Sequence, residues 1–254
     1  MITIIGPAKR VNFENTIETE NYYVPFFLDE AEILMNKLKK FSKNKLKNLL
    51  DISDELAELN TARHTNWKRE HNKGNAKEAI FAFQGDVYNK LEATKFSKNE
   101  LEFANEHVLI ISGLYGILRP LDLIQPYRLE MGSKFSGRWG NNLYEFWREK
   151  LTQHINQRLE ETKSEYLINL ASKEYYKVLN NKEIKAKIIT PVFKDFKNGN
   201  YKVLFLFAKF ARGLMTKYIV ENKIIRASEL KLFQSDGYQF SEYMSGENEW
   251  IFIR

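Results

Sequence analysis

The chain has 254 residues, 43% of them hydrophobic and 28% charged, an ordinary balance for a globular protein long enough to bury most of its unfolded surface. No window approaches the roughly 20 apolar residues of a membrane span. The apolar start, Met1 to Pro7, is short for a signal peptide, so a cytoplasmic location without membrane contact is expected. The absence of cysteine excludes disulfides, zinc ribbons, thiol catalysis and cysteine-held iron–sulfur clusters. His64, His71, His107 and His154 form no tight pair, so no metal site is expected, although carboxylates alone hold Mg²⁺ weakly. A net charge of +6 and a pI near 9.1 favour polyanionic partners. The cations are mostly lysine in a chain rich in Ile, Asn and Lys, a bias that a low-GC genome also produces.

In chain order, residues 2–5 read as a short apolar strand. Phe27, Ala31, Leu34, Leu38 and Phe41 recur at helical spacing and predict a helix over 26–41. Residues 53–67 read as a helix capped by Ser53. Residues 79–84 read as a strand ending at Gly85. Ser97 and Glu100 form a capping box for a helix over 98–106, and 108–112 read as a buried strand. A long loop follows to about 138. Leu143, Phe146, Trp147, Leu151, Ile155 and Leu159 make the apolar stripe of a helix over 141–160. Residues 166–170 read as a strand and 172–180 as a helix capped by Ser172. Residues 186–196 and 201–209 predict a hairpin about Asn198-Gly199, 211–223 a helix, and 237–244 with 249–253 a second hairpin. No repeat or linker interrupts this order, so one domain over 1–254 is expected. Strands separated by helices, then hairpins, predict a mixed α/β sheet with helices on both sides.

Ligands tend to bind outside the carboxyl ends of parallel strands. Four predicted strands run into Gly6-Pro7-Ala8-Lys9, Gly85-Asp86, Gly113-Leu114-Tyr115-Gly116 and Ala171-Ser172. If these strands are parallel, one edge gathers glycines, a lysine, a carboxylate and free helix N–H groups, which suits an anion. The plain alternative is that the glycines simply end strands.

The segment Ser112 to Gly132 holds two of the five prolines and three of the twelve glycines. A loop this long in a compact domain is usually functional or disordered. It carries Arg119, Asp122, Arg128 and Glu130 among apolar residues. Either these pair structurally, or Arg119 and Arg128 face a cleft and contact phosphate, with Tyr115 or Tyr127 offering a stacking face. Lys209, Arg212 and Lys217 form a further basic group. Arg212 is read as opening a helix, where a cation opposes the macrodipole and a bound anion would compensate.

No catalytic triad, P-loop or G-x-G-x-x-G motif is present, so no cofactor is expected. Gly113-Leu-Tyr-Gly116 is a lone G-x-x-G after a predicted strand. The helical pair over 43–62 lacks the glycine that lets backbone N–H groups meet phosphate.

Several segments together resemble the YaaA family of bacterial peroxide-stress proteins: Pro7-Ala8-Lys9, Phe83 to Tyr88, Ser112 to Gly132, Asn169 to Tyr175, Pro191-Val-Phe193 and Ala208 to Met215. The likeness runs in order over essentially the whole chain. It implies a cytosolic protein that helps bacteria survive hydrogen peroxide by limiting free iron and oxidative DNA damage. It further implies a family-specific mixed α/β fold with a positively charged cleft, a helix-hairpin-helix-like element and duplex DNA binding. The chain departs from the family pattern at Gly6, where serine is usual, at Arg10, where threonine is usual, and at Asn89-Lys90, where a glycine is common. Nothing in the sequence looks like an iron site, so an effect on iron is expected to be indirect.

The leading expectation is a monomeric DNA-binding protein of the peroxide response, with Lys9, Arg119, Tyr127, Arg128, Ser172, Lys209 and Arg212 contacting the anion. The alternative is an enzyme acting on a nucleobase, a nucleotide or damaged DNA. Its candidate carboxylates are Asp86, Asp122 and Glu130, beside Asn169, Ser172 and Tyr175. A scaffold without a pocket is the third reading.

Overall fold

The computed structural model describes residues 1–14 and 19–254. In the first half, β1 (Ile2–Ile5) and the short β2 (Arg10–Val11) precede three helices, α1 (Leu28–Leu38), α2 (Lys43–Leu50) and α3 (Asp54–Asn66). Short pieces follow: β3 (Lys77–Glu78), α4 (Ala79–Ala82), β4 (Phe83–Gln84) and α5 (Asp86–Leu91). Next come α6 (Lys98–His107), β5 (Val108–Ser112), β6 (Gly116–Leu118) and β7 (Leu123–Ile124). The second half holds α7 (Leu143–Glu161), β8 (Tyr166–Asn169), α8 (Lys173–Tyr176), β9 (Lys187–Lys197), β10 (Asn200–Lys202), α9 (Phe205–Glu221), β11 (Gln239–Ser241) and β12 (Glu249–Ile253).

Helix starts follow local chemistry. The Ser42, Ser53, Ser97 and Asn142 side chains each accept a main-chain N–H three residues on, and Glu100 closes the capping box by accepting from the Ser97 N–H at 2.6 Å. The apolar stripe of α7 buries Leu143, Trp147, Leu151, Ile155 and Leu159.

Eight strands form one mixed sheet in the order β11-β12-β9-β8-β1-β5-β6, with β10 added on β9. β1 lies between β5 and β8 and is parallel to both, β9 is parallel to β8, and β12 is parallel to β9. β6 and β11 pair antiparallel at the two ends. Every residue of β1 and β5 is buried, so both faces of the sheet centre are covered, as parallel strands require. One apolar cluster takes residues from Met1 to Phe252. No helix is long and apolar enough to cross a membrane among the described residues.

Two predicted elements differ. Residues 79–84 are not a sheet strand: Ala79–Ala82 coil into one helical turn, and only Phe83–Gln84 are extended, paired with β2. All four residues of that turn are buried, and burial on every side gives an apolar run without period. Residues 201–209 also are not one strand. Only Asn200–Lys202 pair with β9, around Asn198 and Gly199 at φ 54° and 79°, and α9 begins at Phe205. Arg212 therefore lies in the middle of α9, away from the amino end where a cation would oppose the helix dipole.

Candidate anion site at the carboxyl edge of the sheet

The parallel trio β8, β1 and β5 sends three turns to one edge. After β1, Gly6 to Lys9 cross the edge, and the Tyr88 hydroxyl donates to the Gly6 carbonyl at 2.9 Å. After β5, Ser112 Oγ accepts the N–H groups of Leu114 and Tyr115 at 3.2 and 3.0 Å and shares a 2.7 Å hydrogen bond with the Tyr127 hydroxyl. After β8, Asn169 Oδ1 accepts the Ala171 N–H at 3.1 Å, and the chain enters α8, which carries Tyr175. The fourth turn arrives by another route. Gly85 follows β4, and its Cα faces Ala8 so closely that an added Cβ would lie 3.4 Å from the Ala8 methyl.

Gly113 fixes the centre. A Cβ there would stand 2.3 Å from the Leu129 carbonyl oxygen, so only glycine lets the β5 turn pack beneath Leu129 and Glu130. That contact holds the next turn of chain, with Arg128 and Glu130, over the strand ends.

Pro7, Ala8, Lys9, Tyr127, Arg128, Glu130 and Tyr175 line one narrow cleft with about 10 Å³ of free space, the order of one water molecule. Arg128 Nε and Nη2 both lie 2.9 Å from Glu130 Oε1, and Lys9 Nζ lies 3.8 Å from the same oxygen. Glu130 Oε2 is buried and has no hydrogen-bond partner. Burial raises the Tyr88, Tyr127 and Tyr175 hydroxyls above the usual phenol range, and neighbouring phenol and carboxylate groups, Glu174 and Glu130 among them, add to it. Tyr127 is buried, so it supports the cleft from below and offers no stacking face.

The C-terminal end of α3 adjoins this cleft. Arg63 is lowered from its ordinary pKa by burial, and further by the Arg128 charge close by. It makes no ion pair among the described residues, its only partner being Asn60 Oδ1 at 3.4 Å. His64, almost fully buried, is pushed down to about 4 by burial, with Arg63 adding to the shift. Neither Arg63 nor His64 stands out in sequence, because both sit inside an ordinary polar helix pattern.

The remaining predicted residues are placed as follows. Lys209 Nζ lies 3.3 Å from Asp86 Oδ2 at the start of α5, so this pair flanks the cleft through Gly85 and Ala8. Arg212, one turn on, is lowered by burial and has no ion pair among the described residues. Its neighbour Gly213 packs on the Val87 carbonyl, 2.2 Å from where a Cβ would stand. Ser172 precedes α8 but does not line the cleft.

Arg119 and Asp122 are not at this edge. β6 runs antiparallel to β5 with Leu118 beside Ile110, which carries Arg119 back toward the amino end of β5. Its Nη2 and Nε lie 3.0 and 3.1 Å from Asp122 Oδ1, and its main-chain N–H donates to Oδ2 at 2.8 Å. The guanidinium also lies 4.2 Å from the centre of the Tyr23 ring. Burial raises Asp122 to about 6 against the opposing pull of Arg119. The two residues line a separate hollow of about 220 Å³ with His154 and Arg158. Arg119 as a cleft contact and Asp122 as a cleft carboxylate are thus corrected by the course of β6, which a linear reading of the loop does not reveal.

α2 and α3 form a helical hairpin through Asp51, which takes the left-handed conformation at φ 49°. Gly113 to Gly116 form the tight β5–β6 connection instead of a helical one. Among the described residues no three His, Asp or Glu side chains gather as a metal-ligand set.

The comparison with known proteins decides the family. The description "Peroxide stress protein YaaA" matches residues 1–244. The chain belongs to this family. A UPF0246 protein of Colwellia psychrerythraea is 46% identical over 254 residues, covering all of this chain and 99% of that protein. One from Shewanella pealeana matches equally, and one from Neisseria gonorrhoeae is 43% identical over 100% of this chain and 98% of its own length. Membership places the chain among peroxide stress proteins.

Proposed function

We propose that the chain is a DNA-binding protein of the oxidative stress response, holding duplex phosphates along the edge formed by Lys9, Arg63 and Arg128. The observation that carries this reading is a local excess of positive charge. Two cations, Lys9 and Arg128, converge on one carboxylate oxygen of Glu130, and Arg63 lies close enough to Arg128 for the two guanidinium groups to repel. Like charges held together in a half-buried place are stabilised by an anion. The cleft is too narrow for a base or a sugar, so phosphate oxygens would bridge its rim. Lys209 and Arg212 extend the same edge along α9. The protein then works in the cytoplasm as a monomer of one domain over 1–254. It limits iron-driven damage by occupying DNA without binding iron. The test is duplex affinity at two salt concentrations. Neutralising phosphates predicts a steep fall with salt; a flat response rejects the reading.

A second reading has its own observation. Glu130 Oε2 is buried without a partner, beside Tyr175. Such an oxygen suits a general base toward a nucleobase, nucleotide or DNA lesion. Product analysis after incubation with damaged DNA and a nucleoside panel tests it, and turnover abolished by Glu130→Gln would support it.

A further inference from the structure

The hollow of about 220 Å³ that holds Arg119 and Asp122 is set apart from the cleft by the course of β6. One wall is apolar: Ile117 of β6 is buried, whereas Val24 and Phe26 are 49% and 64% exposed. The other wall is polar and comes from Arg119 and Asp122 and, one turn apart on α7, from His154 and Arg158. The Phe26 ring centre lies 4.5 Å from that of His154, where the two walls meet. An apolar surface with a few convergent polar groups is the usual make-up of a small-molecule site.

The carboxylate acceptors of this hollow are used up, and the donors are not. Asp122 Oδ1 accepts from Arg119 Nε and Nη2, and Oδ2 from the Arg119 N–H. Glu161 Oε1 accepts from Gln157 Nε2 at 2.8 Å, and Oε2 from Arg158 Nη1 at 2.6 Å. Among the described residues Arg119 Nη1 meets no acceptor, and Arg158 Nε and His154 Nδ1 are buried without a partner. Burial pushes His154 down to about 4, and the Arg158 and Arg119 charges add to the shift, so both guanidinium groups act on one ring. A neutral imidazole still carries one ring proton to donate. A buried donor without an acceptor is costly, and a bound acceptor offsets that cost.

The same groups select the ligand. Arginine donors favour a carboxylate or a phosphate. Asp122 and Glu161 bring two negative charges to the hollow, and these repel a dianion more than a monoanion. Ile117, Val24 and Phe26 favour an apolar body. The volume is below the ~300 Å³ at which drug-sized pockets begin, so that body is no larger than a single ring or a short branched chain. We infer that this hollow binds a small monocarboxylate with an apolar body. Its carboxylate sits against Arg119 Nη1 and the Arg158 guanidinium, and its body packs on Val24 and Phe26. The hollow lies at the other end of β5 from the cleft, so this site does not depend on the nucleic-acid reading of that cleft.

Titration with benzoate, followed through the ring NMR signals of the four histidines, tests the site. The His154 signal is the one missing from His154→Gln. Benzoate should shift it saturably. Acetate lacks the apolar body, benzamide lacks the charge and inorganic phosphate lacks the body and adds charge, so each should bind roughly tenfold or more weaker. Arg158→Gln should weaken benzoate by roughly tenfold or more. Phe26→Ala, at an exposed position that the fold tolerates, should weaken it several-fold. No saturable shift, or one at another histidine alone, overturns the site. So does acetate, benzamide or phosphate binding as tightly as benzoate. Wild-type affinity in a folded Phe26→Ala or Arg158→Gln variant also overturns it. If Arg158→Gln fails to fold, Phe26→Ala and the three control ligands decide.

Discussion

Arg128 directs Nε and Nη2 at a single oxygen of Glu130, and the other oxygen is left buried with no partner. An arginine and a carboxylate usually meet fork to fork. This pair is only half made, and Lys9 leans on the same engaged oxygen from the solvent side. The arrangement keeps Arg128 pointed across the strand ends while leaving its charge incompletely matched.

Glu130→Gln should tighten duplex binding several-fold. The substitution keeps the side-chain shape and removes the negative charge that competes with phosphate. The slope of log affinity against log salt should steepen by about one unit, the contribution of one added phosphate contact. Anisotropy titrations across a salt series measure both. In the same series, Lys9→Ala plus Arg128→Ala should shallow the slope by about two.

Arg119→Ala should leave duplex affinity unchanged, because that guanidinium sits at the other end of β5. It should cost about 2 kcal/mol of stability, since the buried Asp122 loses its ion partner but keeps the Arg119 main-chain N–H. Urea unfolding and a binding titration on the same preparation separate the two effects.

Gly113→Ala should destabilise by about 3 kcal/mol, because the new methyl would meet the Leu129 carbonyl and force backbone to move. The displaced backbone carries Arg128 and Glu130, so duplex binding should weaken even in the fraction that folds. Chemical denaturation and binding at a temperature well below the midpoint give the two readouts.

Acid should destabilise the fold through His64. The folded ring titrates at about 4 instead of 6.5, so below the upper value the unfolded chain binds a proton that the folded chain refuses. Stability therefore falls as pH drops through this window, by about 2 kcal/mol between neutral pH and pH 5. His64→Gln should flatten that dependence in urea unfolding curves taken across the range.

Much of the fold was legible because the signals were periodic or local. The α7 stripe, the Ser97–Glu100 box, the buried run 108–112 and the Asn198-Gly199 turn each specify an element without distant help. The segment 79–84 was not legible, since burial on all sides erases the period that separates helix from strand. At the site, the turns after β1 and β5 were readable from glycines following apolar runs, and the turn after β8 from Ala171-Ser172 at the start of a helix. The placement of Arg119 was not, because it depends on β6 doubling back. Arg63 is not marked in the sequence, because its proximity to Arg128 comes only from the approach of α3. Nothing within the helix itself marks that approach.

The central position of β1 also sets an order of events during synthesis. Its four residues emerge well before either neighbour, Val108–Ile110 on one side and Leu167–Asn169 on the other. Translation at ~10 residues per second leaves this apolar segment without its sheet partners for on the order of ten seconds. Until then the newborn chain presents an unpaired, sticky strand, a natural client for holding chaperones. Ribosome-bound fragments ending before β8 should therefore be protease-sensitive at residues 1–14.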